Sequence, residues 1–178
     1  MEYVRLGASG LLVSPLCVGT MMFGDRTDAA ESTRIVHAAR DAGVNFIDTA
    51  DAYAKTDSER IVGAAIRGER RRWILATKVG NVLTQQPVDG GLSRRWMLAG
   101  CDDSLARLGT DYIDVYYLHR DDVDTPLAET IGAIGDLIRA GKIRYFGVSN
   151  YRGWRIAEIV AECAAQGVPP PVVCRPYY

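Results

Sequence analysis

One pattern recurs along almost the whole chain: a short apolar run, a glycine or polar residue where it stops, and then a segment with helical spacing. The apolar runs end near Gly19, Asp48, Lys78, His119 and Ser149, so the steps between them are 29, 30, 41 and 30 residues. One unit of strand, loop, helix and loop needs about this much chain. Apolar runs that alternate with helices are typical of a parallel sheet buried on both faces.

The same pattern gives the limits of the individual elements. Each predicted helix has start or stop features such as an acidic first turn or a terminal glycine, and the fourth has Thr125 as its cap and Pro126 in its first turn. Two further apolar runs, 3–6 and 11–13, flank a loop with two glycines and predict an N-terminal β-hairpin. The predicted helices are 28–43, 58–68, 93–109, 126–141 and 152–167, and the predicted strands are 16–19, 44–49, 73–78, 112–119, 145–149 and 172–175.

A series of six such units fits two α/β folds, an open doubly wound sheet and a (β/α)₈ TIM barrel. An open nucleotide-binding sheet should have a Gly-x-Gly-x-x-Gly turn after its first strand, and the segment 19–24 lacks it. The segment Ala140-Gly141-Lys142 is not a phosphate loop, because it closes a helix and does not open one.

Composition narrows the function. The 178 residues are 48% hydrophobic and 24% charged, as expected of a folded globular protein. A net charge of −1 without a basic block disfavours nucleic acid and anionic membranes as partners. There is no membrane-length apolar stretch, signal-peptide core or Cys-x-x-Cys pair. We therefore expect a reduced cytoplasmic protein that binds a small ligand.

Ionisable residues stand where successive strands end. In a parallel barrel the carboxyl ends of all strands open on one face, so Asp48, Lys78 and His119 should converge there. Each residue taken singly has an ordinary structural explanation, as a turn cap, a solvent-exposed charge or a packed ring. A half-buried Lys78–Asp48 pair beside Tyr53 has a chemical use, since an ammonium favours the phenolate and makes a tyrosine a usable general acid.

Two other candidates fit structural roles better. His37 lies inside the first predicted helix, away from any strand end. The run Asp121-Asp122-Val123-Asp124 lacks the spacing and glycine of a calcium loop, so no metal site is expected there.

Five segments of the chain resemble successive blocks of the aldo-keto reductase superfamily, in its bacterial branch. They are MEYVRLGASGLLVSPLCVGTMMFG, NFIDTADAY, WILATKVG, LGTDYIDVYYLHRDD and AGKIRYFGVSNY. The resemblance covers the whole chain and implies NADPH-dependent reduction of aldehydes or ketones on a (β/α)₈ barrel. It also implies a catalytic tetrad, which falls on Asp48, Tyr53, Lys78 and His119.

The resemblance implies a role for each of these residues. Hydride passes from the reduced nicotinamide to the carbonyl carbon while Tyr53 donates a proton to the oxygen. Lys78, held by Asp48, makes the tyrosine more acidic, and His119 orients the carbonyl. The implied cofactor contacts are Gly19, Thr20, Met21, Asp48, Ser149, Asn150 and Arg175.

The chain differs from the family pattern in two places. Arg175 stands where relatives present a Gln, and since arginine has no acceptor, weaker cofactor binding is expected. Residues 1–178 also provide only six of eight barrel strands, so we expect a single incomplete barrel domain. This leaves two hypotheses: a reductase acting on a small carbonyl compound, or an inactive truncated barrel that self-associates through its open edges or binds a protein partner.

Overall fold

The computed structural model describes residues 1–84, 86 and 88–176. Its chain begins with the predicted hairpin, in which β1 (Val4–Arg5) pairs antiparallel with β2 (Leu12–Val13). The backbone N–H of Leu6 also donates to the carbonyl of Leu11, which closes the loop between the strands.

Six further strands form one parallel sheet in which every strand lies beside its neighbour in the chain. A doubly wound sheet reverses its strand order at a switch point, and this sheet does not. It curls into a half-barrel, which confirms the first six strands of the predicted barrel. The strands are β3 (Cys17–Gly19), β4 (Phe46–Asp48), β5 (Ile74–Val79), β6 (Ile113–Leu118), β7 (Ile143–Ser149) and β8 (Val173–Arg175).

Five helices connect these strands. Crossovers between adjacent parallel strands are right-handed, so strands in sequential order place all their helices on one side of the sheet. None of the helices in the described ranges is long and apolar enough to cross a membrane. The helices are α1 (Ala29–Asp41), α2 (Asp57–Ala65), α3 (Arg94–Leu108), α4 (Leu127–Arg139) and α5 (Gly153–Gln166).

The helix limits correct the prediction in one respect. The fourth helix begins at Leu127, so Pro126 occupies the cap position and the predicted cap Thr125 is wrong. The Thr125 hydroxyl instead donates to Asp122 Oδ2 at 2.7 Å. The same oxygen accepts from the backbone N–H of Leu92, so this carboxylate holds the loop after β6 in place. Two short 3₁₀ segments, Tyr53–Thr56 and Arg70–Arg72, were not expected from the pattern.

The two faces of the sheet are packed differently. The helix-covered face forms the larger core, which includes Ile47, Leu75 and Phe146. The inner face of the half-barrel has a smaller apolar cluster, closed at its base by the hairpin. Its members are Val13, Phe46, Ala76, Val115 and Tyr117, with Leu6, Leu11, Ile74 and Val173 packed against them.

This inner cluster determines where the polar strand ends point. Side chains alternate between faces with period two, so a residue two positions beyond an inner-face residue is also on the inner face. Asp48 follows Phe46 and Lys78 follows Ala76 in this way. The carboxyl ends of the strands therefore direct a ring of polar side chains into the barrel.

We predict opposite effects for two mid-helix Gly→Ala substitutions. A Cβ at Gly63 of α2 would lie 2.3 Å from the carbonyl oxygen of Leu108 in α3, whereas at Gly132 of α4 the nearest atom is a side-chain oxygen at 3.4 Å. Gly63→Ala should lower the free energy of unfolding by about 1–3 kcal/mol despite the better helix propensity of alanine. Gly132→Ala should be neutral or stabilising. Denaturant unfolding followed by circular dichroism checks this, and equal stability of the two variants would contradict it.

Candidate functional site at the carboxyl ends of the strands

A fully buried lysine is at the centre of the site. The Nζ of Lys78 donates to Asp48 Oδ2 at 2.8 Å, to the carbonyl of Thr49 at 2.6 Å and to the Tyr53 hydroxyl at 3.2 Å. An ammonium has three protons, and each finds an acceptor here. Since an unpaired buried charge is very costly, these contacts hold β4, β5 and the loop after β4 in one arrangement.

Tyr53 reaches the lysine from an unusual backbone turn. The three residues after it, Ala54, Lys55 and Thr56, have φ values of 47°, 53° and 81°. Left-handed conformations cost non-glycine residues free energy, and such strain persists only where the surrounding structure imposes it. The turn places the Tyr53 ring with its centroid 4.6 Å from the ammonium of Lys78. The turn therefore holds the Tyr53 ring and hydroxyl against the Lys78 ammonium.

His119 follows β6 and packs beside the tyrosine. The two rings meet edge to face, with centroids 5.8 Å apart and an interplanar angle of 83°. The backbone N–H of His119 donates to the carbonyl of Val79 at 2.8 Å, which connects the residue after β6 to the end of β5. Burial, followed by the positive charges of Lys78, Arg175 and Arg120, lowers the pKa of His119 to about 4. The imidazole is therefore neutral at neutral pH.

A second cation approaches the tyrosine from β8. Arg175 Nη1 lies 3.3 Å from the Tyr53 hydroxyl and 3.7 Å from Asp48 Oδ2. Its side chain is 52% exposed, whereas that of Lys78 is fully buried. The residue that replaces the expected Gln thus contacts the tetrad itself.

Ser149, the last residue of β7, and Asn150, which follows it, reach the same site. Asn150 has φ of 61°, and its Nδ2 donates to the carbonyl of His119 at 2.8 Å and to Ser149 Oγ at 3.1 Å. The Asn150 N–H donates to the carbonyl of Arg175 at 3.0 Å. Asn150 therefore connects the ends of β6, β7 and β8.

Gly19 at the end of β3 and the two residues after it are placed differently from one another. Gly19 pairs in register with Asp48, and a Cβ there would meet no atom within 4 Å. Thr20 is fully buried, and its hydroxyl contacts the carbonyl of Asp48 at 3.1 Å and Ser58 Oγ at 2.9 Å. Met21 is 53% exposed. The Thr20 side chain is therefore inside the fold, where its contacts hold the loop after β3, and it does not face the open site.

His37 and the acidic run 121–124, for which we expected structural roles, lie away from the contacts among Asp48, Tyr53, Lys78 and His119. The Nε2 of His37 in α1 is 3.3 Å from the carbonyl of Ala65 at the end of α2. Asp121 pairs with Arg155 at 3.1 Å, and Asp122 accepts the loop contacts described above. Within the described residues no group of three or more His, Cys, Asp or Glu is arranged to hold a metal ion.

Sequence reasoning missed two buried carboxylates on the helix side of the sheet. Glu59 of α2 is fully buried and accepts from Thr77 Oγ1 at 2.5 Å and Arg107 Nε at 2.6 Å. Asp51 is 1% exposed, and neither of its carboxylate oxygens has a partner within the described residues. Burial and the nearby Glu59 raise the pKa of Asp51 from 3.8 to about 7. An acid in a loop, like Asp51, or in the first turn of a helix, like Glu59, predicts a solvated charge, so nothing in the pattern indicated their burial.

Asn81 was also missed. It lies in the loop after β5, and its Nδ2 is 2.9 Å from His119 Nδ1. Its position three residues beyond Lys78 resembles that of Tyr53 and Asn150, which also lie in loops just beyond strand ends. A search of all polar residues in these loops would have included it.

A parallel half-barrel with polar residues converging at the carboxyl ends of its strands defines a TIM-barrel protein whose site lies on that face. Comparison with known proteins identifies the family more closely. The model of the aldo/keto reductase family matches residues 15–178. The chain belongs to the aldo/keto reductase family.

Several curated proteins are similar to the chain. A rice (Oryza sativa subsp. japonica) protein named probable voltage-gated potassium channel subunit beta is 39% identical over 100% of this chain and 55% of its own length. The 6-dehydroglucose reductase of Novosphingobium aromaticivorans is 38% identical over 87% of this chain and 53% of its own length. The versiconal hemiacetal acetate reductase of Aspergillus parasiticus is 38% identical over 86% and 52% respectively. The chain thus spans about half the length of the curated relatives it matches.

We predict that Asp51 makes the fold less stable as pH rises. Its folded-state pKa of about 7 exceeds its unfolded value, so the folded state binds the extra proton and loses this advantage between about pH 4 and pH 7. Asp51→Asn, which mimics the protonated acid, should gain stability relative to the parent chain as pH rises, by ~1 kcal/mol or more at pH ~8. The exposed Asp25→Asn is the control. The measurement is the free energy of unfolding of each variant across this pH range. The same pH dependence in Asp51→Asn and Asp25→Asn would contradict the prediction.

Proposed function

We propose that this chain forms the catalytic site of an NADPH-dependent reductase that converts aldehydes or ketones to alcohols. The observation that supports it most directly is the contact of a fully buried Lys78 ammonium with both Asp48 and the Tyr53 hydroxyl. The four cysteines are all unpaired in the structure, which fits a reducing compartment such as the cytoplasm.

In this proposal Tyr53 is the general acid. A carbonyl that accepts hydride at carbon develops negative charge on oxygen, and Tyr53 donates its hydroxyl proton to that oxygen to complete the alcohol. The charge left on the phenolate faces the ammonium of Lys78 at 3.2 Å, which lowers the cost of proton donation. Asp48 balances the lysine charge and keeps the ammonium in place.

His119 has a complementary role. Because its imidazole is neutral at neutral pH, one ring nitrogen carries a proton and the other does not. A neutral ring can donate one hydrogen bond to a carbonyl oxygen without adding a second positive charge beside Lys78. We propose that His119 orients the substrate carbonyl next to Tyr53.

The residues present fit a nicotinamide cofactor in part. When bound, reduced nicotinamide supplies the hydride. Asp48 Oδ1 is buried without a partner among the described residues, so it offers an acceptor for a ribose hydroxyl. Ser149 and Asn150 can offer hydroxyl and amide groups to a carboxamide. Arg175 has donors only, so it can hold the carboxamide only through its oxygen. The preference for NADPH over NADH follows the family resemblance.

The test is reduction of an aromatic aldehyde such as benzaldehyde, followed by loss of NADPH absorbance. Tyr53→Phe should lower the rate by at least ~10²-fold, because loss of a general acid typically costs that much. Tyr3→Phe is the matched control, since its hydroxyl donates to the carbonyl of Gly43 at an exposed position. No absorbance loss at any concentration of the chain, or equal rates for the two variants, would contradict the proposal.

A second candidate is a binding role without catalysis. Relatives from rice and Arabidopsis thaliana are named as probable potassium channel β-subunits. In the described part of the chain, β3 and β8 each pair on one side only, and unpaired strand edges can join another chain. Light scattering over a range of concentrations separates the candidates. A stable monomer at all concentrations argues against self-association, and NADPH turnover argues against an inactive chain.

A further inference from the structure

The orientation of His119 depends on a residue outside the tetrad. Its ring has two nitrogens, and Nδ1 lies 2.9 Å from Asn81 Nδ2. An amide N–H₂ group can only donate, so this contact requires an Nδ1 that accepts and carries no proton. In a neutral imidazole the single proton must then be on Nε2.

The backbone around Asn81 supports this contact. Gly80 has φ of 125°, a conformation that side chains rarely adopt, and a Cβ there would lie 3.0 Å from Leu92 Cδ2. The chain therefore turns sharply one residue before Asn81. The backbone N–H of His119 also donates to the carbonyl of Val79, the last residue of β5. The end of β5 therefore holds the backbone of the histidine, and the loop that follows it contacts the ring.

The surroundings of His119 keep its ring neutral, so the contact with Asn81 bears on which ring nitrogen carries the single proton. Burial disfavours the imidazolium, and so do the positive charges of Lys78, Arg175 and Arg120. A neutral histidine has two tautomers, and the hydrogen bond made by one ring nitrogen sets which of them is present. A single hydrogen bond at Nδ1 is enough to select between them.

We propose that Asn81 is a positioning residue that holds neutral His119 as the Nε2–H tautomer, so that Nε2 is the nitrogen that donates to the substrate carbonyl. The tautomer does not depend on the reaction, whereas its use in orienting a carbonyl rests on the proposed reductase function. The two parts are tested separately.

The tautomer is measured by NMR of isotope-labelled histidine side chains in the chain without cofactor or substrate. The chain has only two histidines, so His37 and His119 can be assigned with one His37→Gln variant. We expect an unprotonated Nδ1 and a protonated Nε2 at His119 in the parent chain at neutral pH. Asn81→Asp, whose carboxylate can only accept, should move the proton to Nδ1.

Val82→Asp is the matched control. It introduces the same charge one residue further along the loop, at a side chain that is 60% exposed and not in contact with the His119 ring nitrogens. The control should leave the tautomer of His119 unchanged. An Nδ1–H tautomer in the parent chain, or the same tautomer in the parent, Asn81→Ala and Asn81→Asp, would overturn the proposal.

Kinetics test the use of the tautomer. Asn81→Asp should reduce kcat/KM for an aldehyde by about tenfold or more, as loss of a partner that orients a functional histidine commonly does. Asn81→Ser, whose hydroxyl can donate to Nδ1, should recover part of the loss. Unchanged kinetics with a switched tautomer would refute the orienting role. Absence of turnover in the parent chain would refute the proposed reductase function but not the tautomer assignment.

Discussion

The structure depends on a positive charge placed where no water can reach it. The Lys78 ammonium is fully buried at the end of β5, and the free-energy cost of leaving such a charge unpaired is several kcal/mol or more. The side chain of Asp48, the carbonyl of Thr49 and the hydroxyl of Tyr53 meet this need together. The strained turn after Tyr53 is maintained because this network requires the tyrosine there. The contacts that stabilise the lysine are also those the proposed chemistry uses.

Strand register places the polar side chains around Lys78 together in one site. In a parallel sheet with sequential strand order the carboxyl ends share one edge, and period-two alternation sends the same positions inward. Asp48, Lys78, Ser149 and Arg175 satisfy both conditions, and His119 lies one residue beyond its strand. A slip of one residue would turn each side chain to the helix-covered face. The apolar inner cluster and the hairpin beneath it oppose such a slip.

The sequence predicts the elements and most of the site, but misses features that depend on contacts between distant segments. The strand series, the hairpin and the polar strand ends follow from apolar spacing alone. The buried positions of Asp51 and Glu59 do not, since both belong to a loop and a first helical turn that are typically solvated. Thr125 shows the same limit at a helix start: it has the composition of a cap, but Asp122 binds its hydroxyl.

Sequence by itself determined the order of elements and placed Asp48, Lys78 and His119 at successive strand ends with Tyr53 in the loop beyond Asp48, because periodicity and chain connectivity are local properties. The choice of a barrel over an open doubly wound sheet followed from the family resemblance. Only the tertiary structure decided how these side chains are charged and directed. The neutral state of His119 comes from burial and from the positive charges of Lys78, Arg175 and the adjacent Arg120, and its contact with Asn81 joins residues that are 38 positions apart. Burial and long-range contacts of this kind exist only in the folded chain.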